Sequence, residues 1–261
     1  MSDWEDGSAE EYEEPERSTL TRTIAVILII ALAVGFAGVN LITALRRDGA
    51  VTTNEALEDA RGFKFLALDP LTNTPVRYDP CSPLHYVVNP ANAPFKGLED
   101  IEGAIALTAE ATGIRFVFDG TTDEPVNGDR EIYQPERYGE RWPPLLIGWM
   151  AHDSTIFDVE DVGVAGSAIE KNTGGRLVYV TGSVALNGSE HLANGFAPGK
   201  TWGKVVLHEL GHVLGLGHVG DPAQVMHDSL LSSPAVWGAG DLAGLRELGA
   251  PAGCLEPPPV P

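Results

Sequence analysis

His208-Glu209-Leu210-Gly211-His212, continued by Val213-Leu214-Gly215-Leu216-Gly217-His218, groups three imidazoles around one carboxylate. On a helix, His208 and His212 stand one turn apart and project from the same face. Two neutral imidazoles so placed can hold one divalent metal at about 2.0–2.1 Å per bond. Glu209 adjoins the first of them, where a carboxylate can reach a metal-bound water without ligating the metal itself. A continuing helix could not return His218 to the same ion, so the backbone must turn after Leu214. Gly215 can take the positive φ that such a turn needs. Three protein ligands leave a fourth position for water, which marks a catalytic rather than a structural zinc site. The competing reading is a buried amphipathic helix with incidental histidines. It has to account for three of the chain's seven His falling in this one stretch, around a Glu and a suitably placed Gly.

The full pattern HExxHxxGxxH is the signature of the metzincin zinc proteases, and HELGHVLGLGHV resembles their matrixin branch. The resemblance extends in organisation from about Val76 to Cys254, but only the stretch from Val205 to Met226 is specific. It implies zinc on His208, His212 and His218, with Glu209 as general base. It also implies a methionine turn beneath the metal, and Met226 in Val225-Met226-His227 fills that role by packing, not by ligation. An edge strand above the zinc would pair with the substrate backbone. By order along the chain this is Gly163, Val164, Ala165 and Gly166, continued by Ser167-Ala168, whose small side chains would admit a peptide added as a further strand. The alternative for this segment is a plain packed strand. The wall of the pocket beyond the scissile bond is expected around Ser229 to Trp237, with Trp237 itself in the core. One departure stands out: secreted animal matrixins often carry Pro shortly after the Met, and this chain has His227-Asp228.

Composition limits the partners. Asp and Glu number 37 against 17 Lys and Arg, a net charge of −20. That argues against nucleic acid, because neutralising phosphates needs a basic face, and against an anionic membrane surface as substrate. Surface acids are usually just solvated. Matrixins often bind calcium, however, and Asp158, Glu160 and Asp161 could supply oxygen ligands. His152-Asp153 with Asp158 loosely resembles the loop in which animal matrixins carry a second zinc, without a full ligand set. Cys81 and Cys254 bracket the proposed domain. A disulfide between them is the economical reading and would imply an oxidising compartment; two free buried thiols are the alternative.

Five segments follow along the chain. Residues 1–22 are acid-rich and too polar to bury a core. Residues 23–45 contain IAVILIIALAVGFAGVNLITAL, about the length of apolar helix that crosses a bilayer. A cleaved signal peptide is the rival reading, but the run is long for one and the acidic tail is a poor leader. Flanking Arg residues do not decide the orientation. An inside N-terminus and an extracytoplasmic domain are expected from the disulfide and from the hazard of a free protease in the cytosol. Residues 46–75 read as a stalk, with a brief helix over Asn54 to Phe65 and no cysteine to silence a metal. Residues 76–256 form the domain, and 257–261 a Pro-rich extended tail.

Within the domain, strands are expected at Leu84–Asn89, Ile114–Phe118, Leu145–Met150, Val162–Ile169 and Arg176–Val184. Helices are expected at Leu98–Ala111, Trp202–Leu214 and Asp241–Leu248, the last capped by Asp241, with a long loop over Asp119–Pro144. The fold class is α+β, a matrixin-like domain: a twisted mixed sheet with two long helices and a C-terminal helix, preceded by one transmembrane helix. The function expected is a membrane-anchored zinc endopeptidase acting on protein or peptide substrates. The alternatives are a catalytically silent zinc-bound adhesion or binding module and a membrane sensor.

Overall fold

The computed structural model describes residues 60–150, 156–157, 161–229 and 235–261. Their order is β1 (Leu84–Asn89), α1 (Gly97–Thr112), β2 (Phe116–Thr121), α2 (Pro135–Tyr138), β3 (Leu145–Met150), β4 (Gly163–Lys171), β5 (Leu177–Asn187), α3 (Trp202–Leu214) and α4 (Ala239–Leu248), closed by a 3-10 turn at Ala250–Ala252. The sheet runs β2-β1-β3-β5-β4. β1 pairs in parallel with β2 and β3, β3 pairs in parallel with β5, and only β4 is antiparallel to its neighbour. This is the mixed sheet with two long helices and a C-terminal helix that was expected.

Burial follows position in the sheet. β3 and β5 are central and buried almost throughout, as strands covered on both faces must be. The main core joins Val88, Ile147, Val184 and Leu186 of the sheet to Ile101 and Ala104 of α1 and to Val206, Leu210 and Val213 of α3. A smaller cluster of Val87, Val126, Leu146 and Ala185 also packs around these strands, with Tyr138, Ile156 and Phe157 against it.

Four expectations need correction. β2 starts at Phe116 instead of Ile114: Ile114 is buried ahead of the strand, and Arg115 offers its carbonyl to the Leu84 N–H at 2.9 Å. The loop over 119–144 contains the one-turn helix α2 and a buried charge network. There Arg130 donates to both carboxylate oxygens of Glu124, to Thr181 Oγ1 and to the carbonyls of Pro144 and Gly182. Asp241 is not the N-cap residue of α4; it is the third residue of the helix and caps it from within, accepting the N–H of the N-cap Gly238 at 2.9 Å.

The fourth concerns the stretch read as stalk. Helical geometry ends at Arg61, so the helix expected through Phe65 stops short. Beyond it the chain packs onto the domain: Phe63 is buried and Phe65 bridges Leu216. The Leu66 N–H donates to the Gly215 carbonyl at 2.8 Å, and the Gly217 N–H donates to the Lys64 carbonyl at 2.8 Å. This strap holds the turn that carries His218. The apolar run at 24–45 lies outside the described residues; among the described residues no helix is long and apolar enough to cross a membrane.

Candidate metal centre

α3 is buried along all of its length, as a helix enclosed by a sheet and two other helices must be. It ends at Gly215, whose φ of 114° lies in the left-handed region. The Gly215 N–H is shared between the carbonyls of Gly211 (3.1 Å) and His212 (3.0 Å), and the Leu216 N–H returns to Gly211 at 2.9 Å. The chain thereby reverses and brings His218 back over the helix.

The three predicted imidazoles meet. Nε2 of His208 lies 3.0 Å from Nε2 of His218 and 3.1 Å from that of His212, and the third side of the triangle is 3.0 Å. The opposite ring nitrogens have acceptors of their own. His208 Nδ1 donates to the Val225 carbonyl and His212 Nδ1 to the Leu216 carbonyl, each at 2.8 Å. A carbonyl can only accept, so these Nδ1 atoms carry the protons and the Nε2 lone pairs face inward. Lone pairs converging at such range repel unless a cation sits among them. The spacings suit one ion at about 2.0–2.1 Å from each nitrogen. Burial pushes His208 down to about 4 and His212 well below the ordinary imidazole range. Both are therefore neutral at physiological pH, as ligation requires.

Glu209, next along the helix, is 4 % exposed, and its buried Oε2 has no hydrogen-bond partner among the described residues. Burial, with the nearby charge of Asp161, lifts its carboxyl to about 8. Three converging imidazole nitrogens, two of them with inward lone pairs, and a buried acid oxygen on the residue after His208 are a donor set suited to a divalent cation and its water, and such a cation would draw the Glu209 pKa back down.

Met226, the residue expected at the methionine turn, lies against Gly211, one residue before His212. It is 1 % exposed and packs so closely on α3 that any side chain at Gly211 would collide with its Sδ and Cε. Trp237 is also core, with its ring against the same glycine. The predicted substrate strand Gly163–Gly166 opens β4, at the sheet edge; β5 pairs with one side, and among the described residues no strand pairs with the other. Cys81 and Cys254 form a disulfide with Cα atoms 5.3 Å apart, so Cys81 offers no thiolate to the metal.

His152, Asp153, Asp158 and Glu160 lie outside the described residues. Among the described residues, the other close grouping of metal-ligating types is Asp79 with the two bonded cysteines.

Sequence reasoning did not find the supports of the site. Two are backbone carbonyls, at Val225 and Leu216, and a carbonyl leaves no trace in residue identity. A third is Ser167, whose Oγ accepts from Tyr78 Oη at 2.6 Å and donates to the Val213 carbonyl at 2.7 Å, tying β4 to the end of α3. A buried hydroxyl in an apolar strand was the available signal.

Comparison with curated proteins finds no match. The family model described as Matrixin matches residues 149–248, which takes in β4, β5, α3, the Met226 turn and α4. In the segment that carries the three converging histidines, the chain is therefore similar to the matrixin-like metzincins.

Proposed function

We propose that this chain is a membrane-anchored zinc endopeptidase whose catalytic domain faces away from the cytoplasm. The observation that carries the reading is the triangle of His208, His212 and His218 Nε2 atoms, 3.0–3.1 Å on a side, with a buried Glu209 oxygen, unpartnered among the described residues, on the residue after His208. The anchor is supported by the apolar run at 24–45, and the extracytoplasmic side by the Cys81–Cys254 disulfide.

Zinc, when bound, supplies a Lewis acid that polarises the scissile carbonyl and acidifies a water. The chain's own residues do the rest. His208, His212 and His218 hold the ion, with His208 and His212 fixed in tautomer by the Val225 and Leu216 carbonyls. Glu209 takes a proton from water as general base and returns it to the leaving amine nitrogen. The free edge of β4 receives the substrate backbone as an added strand. Met226 closes the floor against solvent. A calcium site remains a proposal on the acidic residues 158–161 alone.

The test is Glu209→Ala. The variant should retain bound zinc and lose hydrolysis of casein or a matrixin peptide. Cleavage at the wild-type rate would overturn the role given to Glu209; absence of cleavage by the wild type itself would leave the silent binding module as the better account.

A further inference from the structure

Gly163 was expected to be small in order to admit a peptide. Its surroundings give a different reason. Its φ lies outside the left-handed region, so the backbone there does not require glycine. What requires it is space. A Cβ on Gly163 would stand 2.6 Å from Oε1, 2.8 Å from Cδ and 2.8 Å from Cγ of Glu209, closer than packed carbon atoms approach.

Both backbones are held, so relief has to come from the Glu209 side chain leaving the place it occupies. Glu209 sits in the buried middle of α3. β4 is fixed by its register on β5, Gly163 opposite Leu186, and by Ser167 bonding the Val213 carbonyl. Gly163, Ala165 and Ser167 alternate along the strand and so share one face. Gly163 meets Glu209 on that face and Ser167 meets Val213, so the face lies on α3.

We infer that Gly163 is a positioning residue for Glu209: its missing side chain is the slot in which the base lies. The wall of that slot is the first residue of the edge strand, so the base and the strand proposed to receive substrate are held in one register. This rests on the reading of Glu209 as general base; the packing part of the claim does not.

The experiment is a double-mutant cycle in the full chain, with Gly163→Ala made in the wild-type and Glu209→Ala backgrounds. Gly163→Ala should keep its zinc and its KM within about twofold, and lose about 10²-fold in kcat, the scale of a small misplacement of a reacting group. It should lower the melting temperature in the wild-type background and leave it unchanged beside Glu209→Ala, where nothing fills the slot. Folding of the double variant where the single one fails would support the slot equally. An equal drop in melting temperature in both backgrounds, failure of both to fold, or an unaltered kcat would overturn it. Should the wild-type chain cleave no peptide, the endopeptidase reading fails on its own, and the melting temperatures still decide the slot.

Discussion

Asp241 of α4 reaches across to the methionine turn and accepts the backbone N–H of Val225 at 2.6 Å; the carbonyl of the same Val225 takes the proton of His208 Nδ1 at 2.8 Å. One carboxylate therefore holds a metal-facing imidazole through a single residue. It also accepts from Met226 (3.3 Å) and Gly238 (2.9 Å) and is fully buried. Asp241→Ala strands these donors, and each buried N–H left unpaired costs about 1–3 kcal/mol. Urea unfolding should show a loss of at least that size, and chelator competition should show zinc affinity down by about tenfold or more.

A second prediction concerns acid. Burial pushes Glu124 upward, but its bonds with Arg130, Tyr138 and Gln134 outweigh that and hold the carboxyl below the usual glutamate value of 4.5. A depressed carboxyl stabilises the fold above its unfolded pKa, and that contribution is lost as pH falls through the folded one. The wild type should therefore weaken below about pH 4.5. Glu124→Gln should be less stable near neutrality and show a shallower acid slope. Arg130→Ala, which leaves a buried charge unpaired, should cost about 3–5 kcal/mol. Thermal melts across pH 3–7 check all three.

These supports mark the boundary of what could be read from residues alone. α3 was legible to both ends because its start, its apolar content and the glycine after Leu214 agree. The metal triad was legible because side-chain identity and spacing carry it. The loop over 119–144 was opaque because charges, not apolar residues, order it, and a charge-rich run reads as solvated surface. The strap at 63–66 was missed because it is tied to residues 215–217 by backbone bonds, which any sequence could make. Asp241 stood at the right end of α4 to be a cap; only the approach of the methionine turn gives it the other partners.

The disulfide joins residues 173 apart in sequence. The chain-entropy model allows up to about 5 kcal/mol for a loop of this size. Other contacts already tether the C-terminal end: Arg77 donates to the Ala252 carbonyl at 3.0 Å, and Asp79 accepts the Leu255 N–H at 3.0 Å. The paired Cys81→Ser, Cys254→Ser variant should thus lose less than that ceiling, about 2–4 kcal/mol. A change in denaturant midpoint at constant slope would register it.

The most direct measurement is the zinc stoichiometry of the purified chain, read by elemental analysis after dialysis, for wild type and His212→Ala side by side. One equivalent in the wild type and loss of that equivalent in the variant is the predicted result. A metal-free wild type, or the same zinc content in both proteins, would contradict a centre built on His208, His212 and His218.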